Sequence, residues 1–457
     1  MATDPIQNIK TELYDSPLSF GVQEALKRLA ALPASTDVPY LTLSLDWRPQ
    51  GEHPGWDLPE EQLKSQRRTD EPQDEDFNRR PSWRTLEREL DDLIEQHGPR
   101  GDVFDSLSAD KERIEAWLDD ELDPSAQGVF MVACGAQDVF EPLALSLPVE
   151  TRLDHGPTPR LSVVARMVDD NPPYAVLLAD QKDATLTIVR RAQVGRQVQL
   201  EGSGYPRKQA QGGWSQRRYQ ARADERIDAF AREVAEQARA MLRESDVHAL
   251  IIAGDEVITS ALDDVMHSEV SDAVIGRVRL EITTSDSELI DATLPVAEEA
   301  ERNRELQVAK DVTGAVGAGV KGAAGAADVL TALQAGQVMT LVMVDDFAGA
   351  GWADFAMDAY GTGDVPTSHP MGGDTKDLSP VALEDGILLL AVRTDAEIDI
   401  IKSAVPMRET GKDVADAGEG IPRPEAARLV DELGGVAALL RFDLDSAAET
   451  SGQPDRS

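Results

Sequence analysis

The sequence is poor in residues that form disulfides or hold metal ions. It contains one cysteine, Cys134, and six histidines among 457 residues. A single cysteine excludes an internal disulfide and a Cys-x-x-Cys zinc module. The histidines show no HExxH or other paired spacing. We therefore expect no structural metal ion and no cofactor.

Long apolar runs and basic charge are also scarce. No apolar stretch approaches the roughly 20 residues of a membrane-spanning helix, and the N-terminal segment lacks the pattern of a signal peptide. The 84 acidic residues outnumber the 45 basic ones and give a net charge of −39. Such a chain repels nucleic acid and anionic lipid on average. We expect a cytoplasmic protein that binds no membrane and contacts RNA only through a local basic patch.

Length and apolar content allow several domains. The 457 residues are 41% hydrophobic, which is enough for about three domains of ordinary size. Composition and periodicity predict a multidomain protein of the α/β and α+β classes. The predicted parts are an N-terminal α+β domain over 1–168, a central domain over 169–300, a C-terminal α/β domain over 301–442 and a disordered tail over 443–457.

Hydrophobic patterns predict the main elements of these domains. The predicted helices are residues 1–36, a segment around Leu86–Ile94, a long helix from Tyr219 to Met241, and 298–333. The predicted strands are 40–45, 129–133, 174–179, 184–189, 247–254, 338–344, 386–392 and 436–442. Residues 50–78 and the polar stretch from 190 to Gln216 are predicted to be loops.

One segment departs from the acidic average. Between Gly195 and Arg222 six basic residues accompany a single acid, Glu201, so the segment carries +5 and the rest of the chain −44. Glycines and three aromatic residues lie in the same segment, a composition that suits phosphate contact and base stacking. A solvated loop without a partner is the alternative. The predicted RNA-binding residues are Arg207, Lys208, Trp214, Arg217, Arg218 and Arg222.

The same segment resembles a known family. The run from Gly204 to Tyr219 reads GYPRKQAQGGWSQRRY and is followed by an Arg-rich helix and the strand 247–254. It is similar to the central domain of archaeal and eukaryotic class I release factors and Pelota, and more closely to their bacterial and archaeal Vms-like homologues. Residues 328–344 and 434–442 resemble elements of the family's third domain. The resemblance implies an RNase H-like middle domain followed by an α/β third domain.

The family's chemistry comes from a Gly-Gly-Gln loop, which enters the peptidyl-transferase centre and helps water attack the ester between peptide and tRNA. Gly212 and Gly213 match the glycine pair, but Trp214 occupies the glutamine position and the nearest glutamine is Gln216. The resemblance implies that the glycines allow close approach to RNA and that Gln216 positions water. A solvent-facing residue at the start of a helix is the alternative role for Gln216.

Stop-codon reading is not expected. The family's first domain uses an Asn-Ile-Lys-Ser loop, which is absent from 52–80, and Asn8-Ile9-Lys10 is followed by Thr11. Two functions stay open: hydrolysis of peptidyl-tRNA on stalled ribosomes, or non-catalytic protection of inactive ribosomes. The resemblance implies ribosomal RNA and peptidyl-tRNA as partners, and a translational GTPase that binds 301–442.

Two further motifs are expected to have no functional role. Residues 317–322 match GxGxxG, but a helical segment precedes them, whereas a dinucleotide-binding turn follows a strand. Adjacent aspartates at 119–120, 263–264 and 345–346 are predicted to be solvated, because neighbouring residues on a helix point apart.

Overall fold

The computed structural model describes residues 6–13, 22–48, 80–169, 172–190, 193–202, 215–245, 247–403 and 423–442. The chain forms two compact units, one of Met1–Phe20 with Asn171–Arg304 and one of Gly21–Asp170 with Glu305–Ser457. Helices and sheets occur in both units, so the predicted mixed α/β multidomain class is confirmed. The boundaries at 168, 300 and 442 stay predictions. The predicted loop 50–78 and tail 443–457 lie outside the described residues.

The elements are numbered in chain order. The strands are β1 (Ile6–Leu13), β2 (Tyr40–Asp46), β3 (Gly128–Cys134), β4 (Val139–Leu145), β5 (Arg152–Gly156), β6 (Tyr174–Ala179), β7 (Asp183–Arg190), β8 (Gln193–Gly202), β9 (Leu250–Gly254), β10 (Val274–Val278), β11 (Gly322–Ala324), β12 (Val338–Val344), β13 (Ala350–Asp354), β14 (Ala359–Thr362), β15 (Leu378–Ala382), β16 (Glu397–Ile401) and β17 (Val436–Leu440). The α-helices are α1 (Val22–Ala30), α2 (Pro81–Gln96), α3 (Asp102–Asp120), α4 (Ser162–Asp169), α5 (Ser215–Ser245), α6 (Glu256–Val265), α7 (Ser268–Asp272), α8 (Asp286–Ala318), α9 (Gly325–Gln334), α10 (Leu383–Arg393) and α11 (Glu425–Asp431). None of these helices is long and apolar enough to cross a membrane.

The first unit is built on one sheet with the strand order β1-β8-β7-β6-β9-β10. Antiparallel pairs join β1, β8, β7 and β6, while β9 is parallel to β6 and β10 is parallel to β9. One face is covered by α5, α6 and α7, which bury Phe230, Ile258 and Val270. The start of α8 covers the other face through Leu289. Both faces are therefore apolar, as expected for a sheet between helical layers.

Two predictions for the first unit are wrong. The stretch from 190 to Gln216 was predicted to be a loop, but 193–202 form β8 in the middle of the sheet order. Glutamines stand where an apolar alternation would mark a strand. Gln197 is only 7% exposed, and its Nε2 donates to Oγ1 of Thr187 over 3.3 Å. Residues 1–36 are not one helix, since Ile6–Leu13 form a strand that pairs with β8 and α1 begins only at Val22.

The second unit contains the remaining sheets. The antiparallel sheet β4-β3-β2-β5 packs against α2 and α3 on one face, where Trp83 and Leu90 are buried, and against α1 and α4 on the other. A second sheet has the order β11-β17-β12-β16, and a small third sheet has the order β14-β13-β15. One hydrophobic core joins residues from both larger sheets, among them Phe130 and Leu341. The N-terminal and C-terminal parts of this unit therefore share a core.

Residues 386–392 were predicted to be a strand and instead form most of α10. Every residue from Leu383 to Ala391 is buried. A helix buried on all sides is apolar on all sides, so it loses the 3.6-residue period that distinguishes it from a strand.

At the GxGxxG match, α8 ends at Ala318 and a strand begins at Gly322, so a helix precedes the motif and no strand-to-helix turn exists there.

Candidate functional site

The predicted basic segment spans the connection between two elements of the first unit. Strand β8 ends at Gly202, and helix α5 begins at Ser215. The predicted site residues of the connection itself lie outside the described residues: Arg207, Lys208, Gly212, Gly213 and Trp214. The structure thus fixes the two ends of the segment, and the roles of these five residues stay predictions.

The other predicted site residues are in the first two turns of α5, namely Gln216, Arg217, Arg218 and Arg222. The first turn contains no acidic residue. The unpaired N–H groups of a helix start carry partial positive charge and attract anions such as phosphate. Arginines in the same turns oppose the helix dipole but add to this positive field. The start of α5 is therefore suited to contact with a phosphate backbone.

The rest of α5 is firmly anchored. From Ile227 to Leu242 the helix buries one apolar face against the sheet. Near its end, Arg243 and Arg239 hydrogen-bond Glu269 of α7 over 2.6 and 3.0 Å. These hydrogen bonds, that of Arg243 above all, lower the pKa of Glu269 to about 2. The turns of α5 that follow the candidate site are thus packed in the core of the first unit.

Arg196, counted in the basic segment from sequence, lies outside the candidate site. It is in β8, and its Nη1 donates to Oε2 of Glu244 over 2.7 Å near the end of α5. Its charge is therefore balanced within the unit. The remaining basic residues fall in 202–223, which contain five basic residues and no acid. The positive charge is thus confined to the connection and the start of α5.

Carboxylates elsewhere in the first unit hold turns. Oδ1 of Asp180, after β6, accepts N–H groups of Lys182 and Asp183 over 2.7 Å each. Oδ1 of Asp255 caps α6 by accepting N–H of Val257 over 2.6 Å. Within the described ranges, no group of three or more His, Cys, Asp or Glu residues could hold a metal ion.

Some of the adjacent aspartates form ion pairs or hydrogen bonds with other residues. Asp263 is paired with Arg277, and Asp346 is paired with Arg423 over 2.7 Å. Oδ1 of Asp345 accepts N–H of Ser403 over 2.9 Å. These contacts are compatible with the prediction of solvated acids, since the side chains of Asp263 and Asp346 are 46% and 51% exposed.

A second polar centre was not found from sequence. In the second unit Arg160, just before α4, contacts Asp154 of β5 together with Glu384 and Asp385 of α10. No local motif marks these residues, since 224 positions separate Leu161 from its hydrogen-bond partner Asp385.

Comparison with known proteins places the candidate site within a matched region. Residues 159–298 match the family model described as bacterial archaeo-eukaryotic release factor family 10, and no curated protein matches the chain. Among solved structures, an archaeal translation termination factor is 16% identical, with 92% of this chain and 97% of that chain covered and a TM-score of 0.23. Archaeoglobus fulgidus Pelota is 16% identical over 71% of this chain and 82% of its own, with a TM-score of 0.29. S. cerevisiae Dom34, a translation termination-like factor, is 10% identical over 69% and 80% of the two chains, with a TM-score of 0.37.

Proposed function

We propose that this chain is a release-factor and Pelota superfamily member and a ribosome-associated translation factor that hydrolyses peptidyl-tRNA on stalled ribosomes, since residues 159–298 match the model of a bacterial archaeo-eukaryotic release factor family. One observation carries the proposal. The segment 202–223 has a charge of +5 in a chain of −39, and it includes the start of α5 inside the matched region. Ribosomal RNA and peptidyl-tRNA are the polyanions that this segment would contact.

The proposed reaction needs little from side chains. Gly212 and Gly213 lack a Cβ and let the backbone approach RNA closely. Gln216 is neutral and can orient a water molecule toward the ester carbonyl without acting as a charged base. The positive start of α5 favours the negative charge that develops on the carbonyl oxygen. Neither a metal ion nor a cofactor takes part in this proposal.

A second function is favoured by one residue. Trp214 occupies the position of the family's glutamine, and a bulky indole cannot orient water as an amide does. In this alternative the segment inserts into an inactive ribosome and protects it without catalysis. In both cases residues 301–442 are the proposed contact for a translational GTPase.

The first experiment tests the RNA contact. Replacing Arg207, Lys208, Arg217 and Arg218 with glutamine should weaken cosedimentation with ribosomes and flatten its salt dependence, because each lost phosphate contact reduces the slope of log K against log salt by about 0.7–0.9. The matched control removes four exposed or paired arginines outside the segment: Arg196, Arg226, Arg232 and Arg279. Equal binding of both variants at every salt concentration would refute the assignment.

The second experiment tests catalysis. Gln216→Ala should slow peptide release from stalled ribosome complexes about 100-fold while changing ribosome affinity little, because the amide acts mainly in the transition state. Gln220→Ala, one turn later in α5, is the matched control. If the wild type occupies ribosomes but releases no peptide, the protective function is correct. If both variants release peptide like the wild type, the choice of Gln216 is wrong.

A further inference from the structure

The second unit contains a cleft of about 380 Å³ between α1, α4, the end of α10 and the start of β16. Its floor is apolar: Leu26 and Ala165 are only 6% and 2% exposed, and Val168, Val392 and Ile398 pack against the same hydrophobic core. The volume falls in the range of binding sites, roughly 300–1,000 Å³. The cleft can therefore take up apolar groups of a partner.

A sheet edge borders this cleft. Strand β16 is the last strand in the order β11-β17-β12-β16, and it pairs with β12 on one side. An edge strand presents backbone N–H and C=O groups that can pair with another chain. The start of β16 lines the cleft, so the strand edge and the apolar floor belong to one surface.

Two hydrogen bonds show which backbone groups of β16 point outward. The C=O of Ile401 accepts N–H of Asp345, which follows β12, so Ile401 faces β12. The N–H of Ile400 instead donates to Oδ2 of Asp169 in α4 over 2.9 Å, so Ile400 faces away from β12. Because the direction of the backbone groups alternates along a strand, Ile398 also faces away from β12.

Ile398 is an open position of this edge. Asp169 satisfies the N–H of Ile400, but no residue in the described part of the chain hydrogen-bonds the outward N–H or C=O of Ile398. Ile398 is half-buried beside the cleft, and a polar backbone group in such a place is costly unless a partner or water satisfies it. An extended peptide offers one N–H and one C=O at the matching spacing.

The charges at the rim of the cleft favour a basic partner. Asp169, Asp395 and Glu397 contribute carboxylates, and Lys27 is the cation of the lining. Asp395 and Glu397 are exposed and lie three positions and one position before Ile398. Arginine or lysine beside the pairing residue of a peptide would meet these carboxylates.

We propose that this cleft binds a short extended peptide of a partner protein. The peptide adds to the edge of β16 at Ile398, places an apolar side chain in the cleft and carries basic residues on either side of it. Asp169 limits the contact to a short peptide, because its carboxylate already occupies the next outward N–H. The proposal does not rest on the ribosomal function, since none of its residues belongs to the basic segment.

The test is fluorescence anisotropy of the full chain with the fluorescein-labelled peptide Arg-Leu-Val-Leu-Arg near physiological ionic strength. Two further forms of this peptide carry N-methyl groups, either at the central valine or at both leucines. Only alternate N–H groups of a strand face its neighbour. One methylated form should therefore bind at least about tenfold more weakly than the parent peptide, and the other should bind within about twofold of it.

Protein variants test the rim and the open position. Asp395→Asn should weaken binding about threefold, and asparagine tolerates the φ of +53° at this position. The matched control is Asp138→Asn, an exposed residue of the second unit with φ +54° that does not line the cleft. Ile398→Pro removes the outward N–H, which an edge strand tolerates, and should abolish binding. Circular dichroism checks its fold, and the methylated peptides keep the test valid if it misfolds.

Four results would overturn the proposal. Equal binding of all three peptides would exclude strand addition. Equal binding of Glu-Leu-Val-Leu-Glu would exclude a basic partner. Absence of saturable binding would exclude the cleft as a peptide site. A dimer in sedimentation velocity that Ile398→Pro dissociates would assign the edge to a second copy of this chain.

Discussion

Replacing Asp385 with asparagine should change how the stability of the second unit depends on pH. Asp385 is 8% exposed, and burial, only partly offset by Arg160, raises its pKa from 3.8 to about 6. The folded protein therefore holds the proton more tightly than the unfolded chain does. Stability from this group is complete below about pH 4 and is lost as the pH rises through about 6.

The magnitude follows from the two pKa values. Their difference corresponds to about 3 kcal/mol of unfolding free energy, which is fully present below about pH 4 and of which about 2 kcal/mol is lost between about pH 4.5 and pH 7.5. Asparagine is neutral throughout and has a similar shape. Its Oδ1 can still accept N–H of Leu161 and Ser162, as Asp385 does over 3.2 and 3.3 Å. The variant should thus gain about 2 kcal/mol relative to the wild type over this pH range.

Urea unfolding followed by tryptophan fluorescence measures this difference. Five of the six tryptophans belong to the second unit, and replacing Trp214 of the first unit with phenylalanine in every variant makes the signal report on the second unit. Asp377→Asn, on an exposed turn, is the control and should follow the wild type within about 0.5 kcal/mol. Parallel stability curves for wild type and Asp385→Asn would show that burial of Asp385 does not govern its ionisation.

Two glycine substitutions test close packing in the two units. Gly254→Ala should destabilise the first unit by at least about 2 kcal/mol, because Gly254 has φ +129° and a Cβ would lie 1.9 Å from the carbonyl oxygen of Ala179. Hydrogen exchange in β6 and β9 should quicken, and unchanged protection there would contradict this reasoning. Gly361→Ala should disturb the sheet β14-β13-β15, because a Cβ would lie 2.3 Å from the indole of Trp352. The emission of Trp352 should shift, and the loss of stability caused by Gly361→Ala should be smaller in a background that carries Trp352→Ala. An equal loss of stability in both backgrounds would contradict the contact with the indole.

Elements with local patterns could be predicted from the sequence. Alternation predicted β2 and β7, short apolar runs predicted β6 and β12, and the three-and-four spacing predicted α5. Charge counting located the basic segment, since +5 within a chain of −39 needs no coordinates to recognise. These features depend on residues that are close together in the chain.

Features that depend on distant partners could be recognised only in the folded chain. Strands β1 and β8 pair through backbone hydrogen bonds across the sheet, although paired residues such as Leu13 and Arg196 are 183 positions apart in the sequence. Helix α10 shows no 3.6-residue hydrophobic period because it is buried on every side. Arg196 lies outside the candidate site, where it pairs with Glu244. Asp385 lies beside Arg160 and the start of α4, although 224 positions separate it from its hydrogen-bond partner Leu161. Burial and long-range pairing are properties of the folded chain, and no local pattern encodes which distant residue will supply the partner.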